Sequence, residues 1–128
     1  MTSWGKLQEY ARSVYDLSED EEDHFTLIFE YDTRSQKILV RTFTGFEQEF
    51  IEFRTTVCQE ADMDPMVALK INAELPIGAL ALDNGLYILV YKFPLTNLDI
   101  EEFELPLNAL ATTGDSLEEL YSSKEDTY

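Results

Sequence analysis

GALALDNGLYILVYKF, residues 78–93, decides how this chain folds. Asn84-Gly85 stands between two apolar runs. A type I′ turn needs φ > 0 at both central residues, and Asn-Gly adopts that geometry most readily. The stretch therefore reads as a β-hairpin with strands over 77–83 and 86–93, the second ending at Pro94. Its second strand is apolar on both sides. Leu86, Ile88 and Val90 occupy one face; Tyr87, Leu89, Tyr91 and Phe93 occupy the other. A sheet covered on one side alternates apolar with polar residues. This hairpin demands cover on both sides, from helices or from another chain.

Upstream, the period stays at two. HFTLIFEYD places Phe25, Leu27, Phe29 and Tyr31 on one face. KILVRTF sets Ile38, Val40 and Thr42 against Leu39, Arg41 and Phe43. EFIEFRTTVC sets Ile51, Phe53, Thr55 and Val57 against Phe50, Glu52, Arg54 and Thr56. Three antiparallel strands joined by short turns are the economical reading.

Helices flank the strands. Over 3–17, Ser3 can cap while Trp4, Leu7, Ala11, Val14 and Tyr15 recur at helical spacing. LSEDEED then interrupts; six acids within 16–23 repel one another and read as an acidic loop over 18–23. Asp64-Pro65 opens a middle helix, since Asp accepts free N–H groups and proline suits the first position. Pro76 stops it. A last helix starts after a Thr96 or Asn97 cap, with Leu107, Leu110, Gly114, Leu117 and Tyr121 as its seam. Pro106 predicts a kink or a break into two helices, and the 123–128 tail reads as frayed. The expectation is one α+β domain over 1–128, in the order α-β-β-β-α-β-β-α, with helices packed on an antiparallel sheet.

The totals limit the partners. Across 128 residues, 9 Lys+Arg face 26 Asp+Glu, a formal net charge of −17. Small domains usually carry about 2 to 8 charges of either sign. Such an excess repels phosphate backbones and anionic lipid, so nucleic acid and membrane are not expected partners. A basic or neutral apolar protein partner remains compatible. One cysteine excludes an intrachain disulfide. The start, MTSWGKLQEY, has no secretory pattern and no apolar run reaches membrane length, so a cytoplasmic protein is expected.

Residue chemistry offers no catalytic motif. His24 beside acids reads as a titrating strand-start histidine. Cys58 has no CxxC partner and reads as an inert thiol. The acids of 20–23 lack the glycine bend of a calcium loop, and with 26 acids a close carboxylate pair carries little information. No phosphate-binding glycine motif or nucleophile elbow occurs. We therefore expect no cofactor, no metal and no catalytic residues.

LPIGALALDNGLYILVYKFPLTNLDIEEFELPLNALATTGDSLEELY, residues 75–121, is the specific part of a wider resemblance. It pairs an apolar hairpin ending in Pro-Leu with an "LD" that opens a helix closing on D-x-L-E-E-L. Over about residues 3–122 the chain resembles the small acidic chaperones of bacterial type III secretion and the related YbjN-like domains. It is also similar to small cyanobacterial proteins of that superfamily. The resemblance implies a non-enzymatic homodimer that holds an extended segment of a partner protein. It implies a dimer surface at Met66, Val67, Leu69, Lys70 and Ala73 with the 77–82 strand; the two-faced apolar hairpin adds Tyr91 and Phe93 as expected dimer contacts. It implies peptide contacts at Trp4, Leu7, Phe43, Phe46 and Phe50. Nothing in the residues identifies a secretion effector, and the 18–23 loop matches no part of the pattern. The alternatives are a subunit or assembly factor of a larger complex, or a small-molecule or enzymatic site built from scattered acids and tyrosines.

Overall fold

The computed structural model describes residues 3–122; the 123–128 tail lies outside the described residues. In chain order the elements are α1 (Trp4–Val14), β1 (Leu17–Asp20), β2 (His24–Tyr31), β3 (Arg34–Gly45) and β4 (Gln48–Gln59). A 3₁₀ turn (Glu60–Asp62), α2 (Pro65–Glu74), β5 (Ala79–Asp83), β6 (Leu86–Pro94) and α3 (Ile100–Tyr121) follow. Asn84 and Gly85 have φ of 52° and 79°, so the type I′ hairpin forms as its dipeptide requires. The strands make one six-stranded antiparallel sheet in the order β1-β2-β3-β4-β6-β5. This is a single α+β domain.

Register decides the two faces. Phe25 lies opposite Val40, Val40 opposite Phe53, and Phe53 opposite Tyr91. With Leu27, Ile38, Ile51 and Leu89 these residues build the core beneath Leu7, Phe103, Leu107 and Leu110 of the helices. Phe53 meets Phe93 and Phe103 edge-on at 5.1 and 5.5 Å, the arrangement that aromatic quadrupoles favour. α1 is anchored on the same side. Trp4 stacks on Phe25, and Tyr10 and Tyr15 both donate to the Glu104 carboxylate of α3. Residues of α2, including Ala68, Val67 and Ile71, join this core too. All three helices therefore serve one face of the sheet, and the helix sandwich that would cover both faces does not occur among the described residues.

α3 approaches the sheet closely at Gly114. A Cβ built there would lie 2.7 Å from Thr55 Cγ2 and 3.3 Å from Gln36 Nε2. Only hydrogen fits. Beneath it, fully buried Gln36 donates to Thr55 Oγ1 at 2.6 Å, and Thr55 donates to the Lys37 carbonyl at 2.7 Å. The donors of this buried polar pair find acceptors, while Gln36 Oε1 has no partner among the described residues.

Four expectations need correction. The 18–23 segment is not wholly a loop, because residues 17–20 form β1 on the edge of β2. Gln8 donates to Asp20 at 2.7 Å and to the Glu21 carbonyl at 2.6 Å, while Arg12 pairs with Asp20 at 2.6 Å. The hydrogen bond from Arg12 holds the Asp20 carboxyl below its usual range. The acids repel each other as expected, but α1 supplies the donors that let them lie down. The element order therefore gains a strand after the first helix. α1 itself stops at Val14, with Tyr15 already extended.

The last helix is also one element of 22 residues that runs through Pro106. Its cap is Asp99, in a reciprocal box with Glu102, rather than Thr96 or Asn97. Pro106 removes the helical bond to the Glu102 carbonyl, a loss of about 3 kcal/mol in a helix interior. Burial of Phe103, Leu107, Leu110 and Leu117 along the same helix keeps it continuous against that loss. No described helix is long and apolar enough to cross a membrane.

Candidate functional site

The face of the sheet turned away from the helices carries the unusual chemistry. Across β3, β4 and β6 it presents Lys37, Leu39, Arg41 and Phe43, then Phe50, Glu52, Arg54 and Thr56, then Ile88, Val90 and Lys92. Ile88 is buried yet stands outside the core beneath the helices. The second apolar side of the hairpin therefore looks outward, flanked by exposed Ala79 and Ala81 of β5.

Glu52 sits fully buried at the centre of this face. Arg41 and Arg54 both donate to it, the latter at 3.2 Å, and Lys92 Nζ lies 3.7 Å away. Burial alone would raise its pKa, but the hydrogen bonds from the two guanidinium groups outweigh it and hold the carboxyl below its usual range. Arg54 also donates to Asp83 at 2.8 Å, while its Nε–H has no acceptor among the described residues. A shallow groove of about 330 Å³ beside it is lined by Glu19, Thr26, Lys37, Leu39, Arg54 and Thr56.

At one end of the face the β3–β4 hairpin turns over an aromatic group. Phe43 and Phe50 face each other in register and stack at 5.4 Å. The turn itself is Phe46-Glu47, with φ of 50° and 61° at two residues that are not glycine. Left-handed backbone costs an L-residue roughly 1–2 kcal/mol. Phe46 is also 95% exposed. An aromatic ring is thus held in water on a strained turn, where Asn-Gly would serve the fold better.

The sequence candidates separate into distinct places. Phe43, Phe46 and Phe50 come together at this hairpin. Trp4 packs on the core face against Phe25 and donates to the Glu22 carbonyl at 2.8 Å. Leu7 is fully buried and cannot touch a peptide unless α1 lifts away. Its apolar spacing is explained by the core instead. On α2, Met66 and Leu69 are 62% and 63% exposed, Lys70 and Ala73 are exposed, and Val67 packs inward. Tyr91 and Phe93 lie elsewhere, on the helix side. There they line a groove of about 380 Å³ with Ile77, Leu98, Leu105 and Pro106. The cationic ring around Glu52 was missed, although the alternation Arg41-Phe43 and Glu52-Arg54 on one strand face was available to find it.

Acid–base candidates stay isolated. His24 Nδ1 lies 2.8 Å from Asp23, and that hydrogen bond raises the imidazole pKa. Burial pushes the Cys58 thiol up to about 11, far from a reactive thiolate. Among the described residues no three His, Cys, Asp or Glu side chains converge as a metal site requires.

Comparison with known proteins adds a fold likeness. No family model matches the chain, and no curated protein matches it. Among solved structures it is similar to a chain of the HopA1–SchA chaperone–effector complex, with a TM-score of 0.65 and 17% identity. The likeness covers 88% of this chain and 90% of the other. It shows the chaperone-like fold that the sequence led us to expect.

Proposed function

We propose that this protein is a non-enzymatic, chaperone-like module that holds an extended segment of a partner protein. The partner lies on the open sheet face and against the β3–β4 turn. Phe46 carries the reading: its φ of 50° and its 95% exposure each cost the folded state and contribute nothing to it. Strain and exposure maintained together are the mark of a residue kept for contact. Stacked Phe43 and Phe50 extend the same apolar surface, and Leu39 and Val90 continue it across the sheet. The likeness to a chain of a chaperone–effector complex supports the assignment.

Exposed Met66 and Leu69 on α2 favour a second contact, between two copies of the chain. In this reading the dimer forms through side chains of α2, and the sheet face stays free for the partner. A long-lived subunit of a larger assembly would use the same surfaces and differ only in lifetime.

The test is a tagged pull-down from the source cells at low and moderate salt, run beside the Phe43→Ser, Phe46→Ser, Phe50→Ser variant. One stoichiometric protein held by the native chain and released by the variant supports the proposal. Recovery of the chain alone, or equal recovery by both, overturns it.

A further inference from the structure

We infer that the segment held on the open sheet face is acidic, with Asp or Glu alternating with apolar residues. The inference rests on the binding role proposed above and names the chemistry of the occupant. It runs against the net charge of the protein, which by itself favours a basic partner.

Only nine Lys and Arg occur in the whole chain. Four of them, Lys37, Arg41, Arg54 and Lys92, fall on one face of three adjacent strands, where Glu52 is the single acid. Three of these cations share that one carboxylate. Lys37 makes no ion pair among the described residues, and Lys92 stands 3.7 Å from Glu52 with its side chain half exposed. Acids border the patch at Glu19, Asp23, Glu30 and Asp83, of which Asp83 is engaged by Arg54 and Asp23 by His24. The centre of the face therefore carries excess positive charge inside a molecule of net charge −17.

Local charge governs docking here because distant charge is screened. The Debye length is about 8 Å at physiological ionic strength, less than the roughly 10 Å that separates packed layers. Acids on the helix side therefore act on a docked segment more weakly than the cations it touches. Leu39, Phe43, Phe50 and Val90 stand between the cations, so apolar contacts and carboxylate sites alternate across the surface. An extended strand also alternates its side chains. Carboxylates of such a segment can reach Lys37 and Lys92 while its apolar residues cover the gaps. A nucleic acid would bring a continuous run of phosphates against the acids that border the patch.

A phage library of random 16-residue segments, selected against the full-length protein, tests this. The comparison variant is Lys37→Glu, Lys92→Glu, which leaves both Arg–Glu52 pairs in place; its fold is checked by circular dichroism. We expect enriched segments rich in Asp and Glu between apolar residues, at least tenfold weaker on the variant and weaker at 300 than at 50 mM salt. Acidic segments that bind the variant equally well overturn the inference. So does a labelled oligothymidylate that binds the face more tightly than the enriched peptides. Basic or neutral segments that enrich and are lost on Phe46→Asn, Glu47→Gly overturn the acidic occupant alone and leave partner binding standing. Absence of any enrichment overturns both.

Discussion

Asn72 of α2 holds Leu80 of β5 by both of its backbone groups. The Leu80 N–H donates to Asn72 Oδ1 at 2.6 Å, and Asn72 Nδ2 donates to the Leu80 carbonyl at 3.2 Å. β5 is the last strand of the sheet, and an open edge invites pairing with another chain. One side-chain amide does there what a neighbouring strand would do. Edge-to-edge pairing through Leu80 is thereby blocked.

Asn72→Ala removes that plug. Two partly buried backbone groups lose their partners, which costs about 1–3 kcal/mol by the usual penalty for an unsatisfied polar group. We expect a lower urea midpoint together with concentration-dependent association, read by sedimentation. A variant that is destabilised yet stays at its original assembly state shows that the edge is shielded by something other than Asn72.

Gly114→Ala sets two effects against each other. Alanine is favoured over glycine within a helix by about 1 kcal/mol. The new methyl, however, would meet Thr55 Cγ2 at 2.7 Å in a buried layer, and overpacking costs about 1–3 kcal/mol. Net destabilisation is the expected outcome. Adding Thr55→Ser removes Cγ2 but keeps the hydroxyl bonds to Gln36 and the Lys37 carbonyl. The double variant then recovers most of the lost urea midpoint; a double variant no better than the single one contradicts this account of the close approach.

Stability should fall at both ends of the pH scale, for opposite reasons. Glu52 has its pKa lowered in the fold, so its contribution is present above the ordinary carboxylate range and disappears as pH falls through the folded value. Cys58 has its pKa raised by burial to about 11, so its contribution is present below the ordinary thiol range and disappears as pH climbs toward that value. Urea midpoints against pH should show both limbs. Cys58→Ala should retain more of its stability between about pH 9 and 11 than the native chain does. An unchanged alkaline limb would remove Cys58 from the account.

Local signals carried most of the fold. Asn84-Gly85 fixed one hairpin, Asp64-Pro65 the start of α2, and the alternation from Phe25 to Val57 the inward and outward faces of three strands. Each depends on neighbours in the chain. What escaped depends on contacts between distant residues. Residues 17–20 become a strand because Gln8 and Arg12 reach across from α1, and mutual repulsion of the acids was the only term visible in the sequence. Leu7 has the spacing of a contact residue and of a core residue alike; only packing separates them. The cations around Glu52 come from β3, β4 and β6, which are not all neighbours in sequence. Phe46 is already among the contacts expected from the sequence, but its left-handed backbone is visible only in the turn.

The turn is therefore where the central claim is best tested. Phe46→Asn, Glu47→Gly supplies the dipeptide that a type I′ turn prefers and relieves roughly 1–2 kcal/mol of left-handed strain. The urea midpoint and the dissociation constant for the partner segment are measured on the same variant. We predict a more stable protein that binds at least tenfold more weakly, about 1.4 kcal/mol of lost affinity. A variant that is more stable and binds just as tightly would contradict the claim, because Phe46 would then be strained and exposed to no purpose.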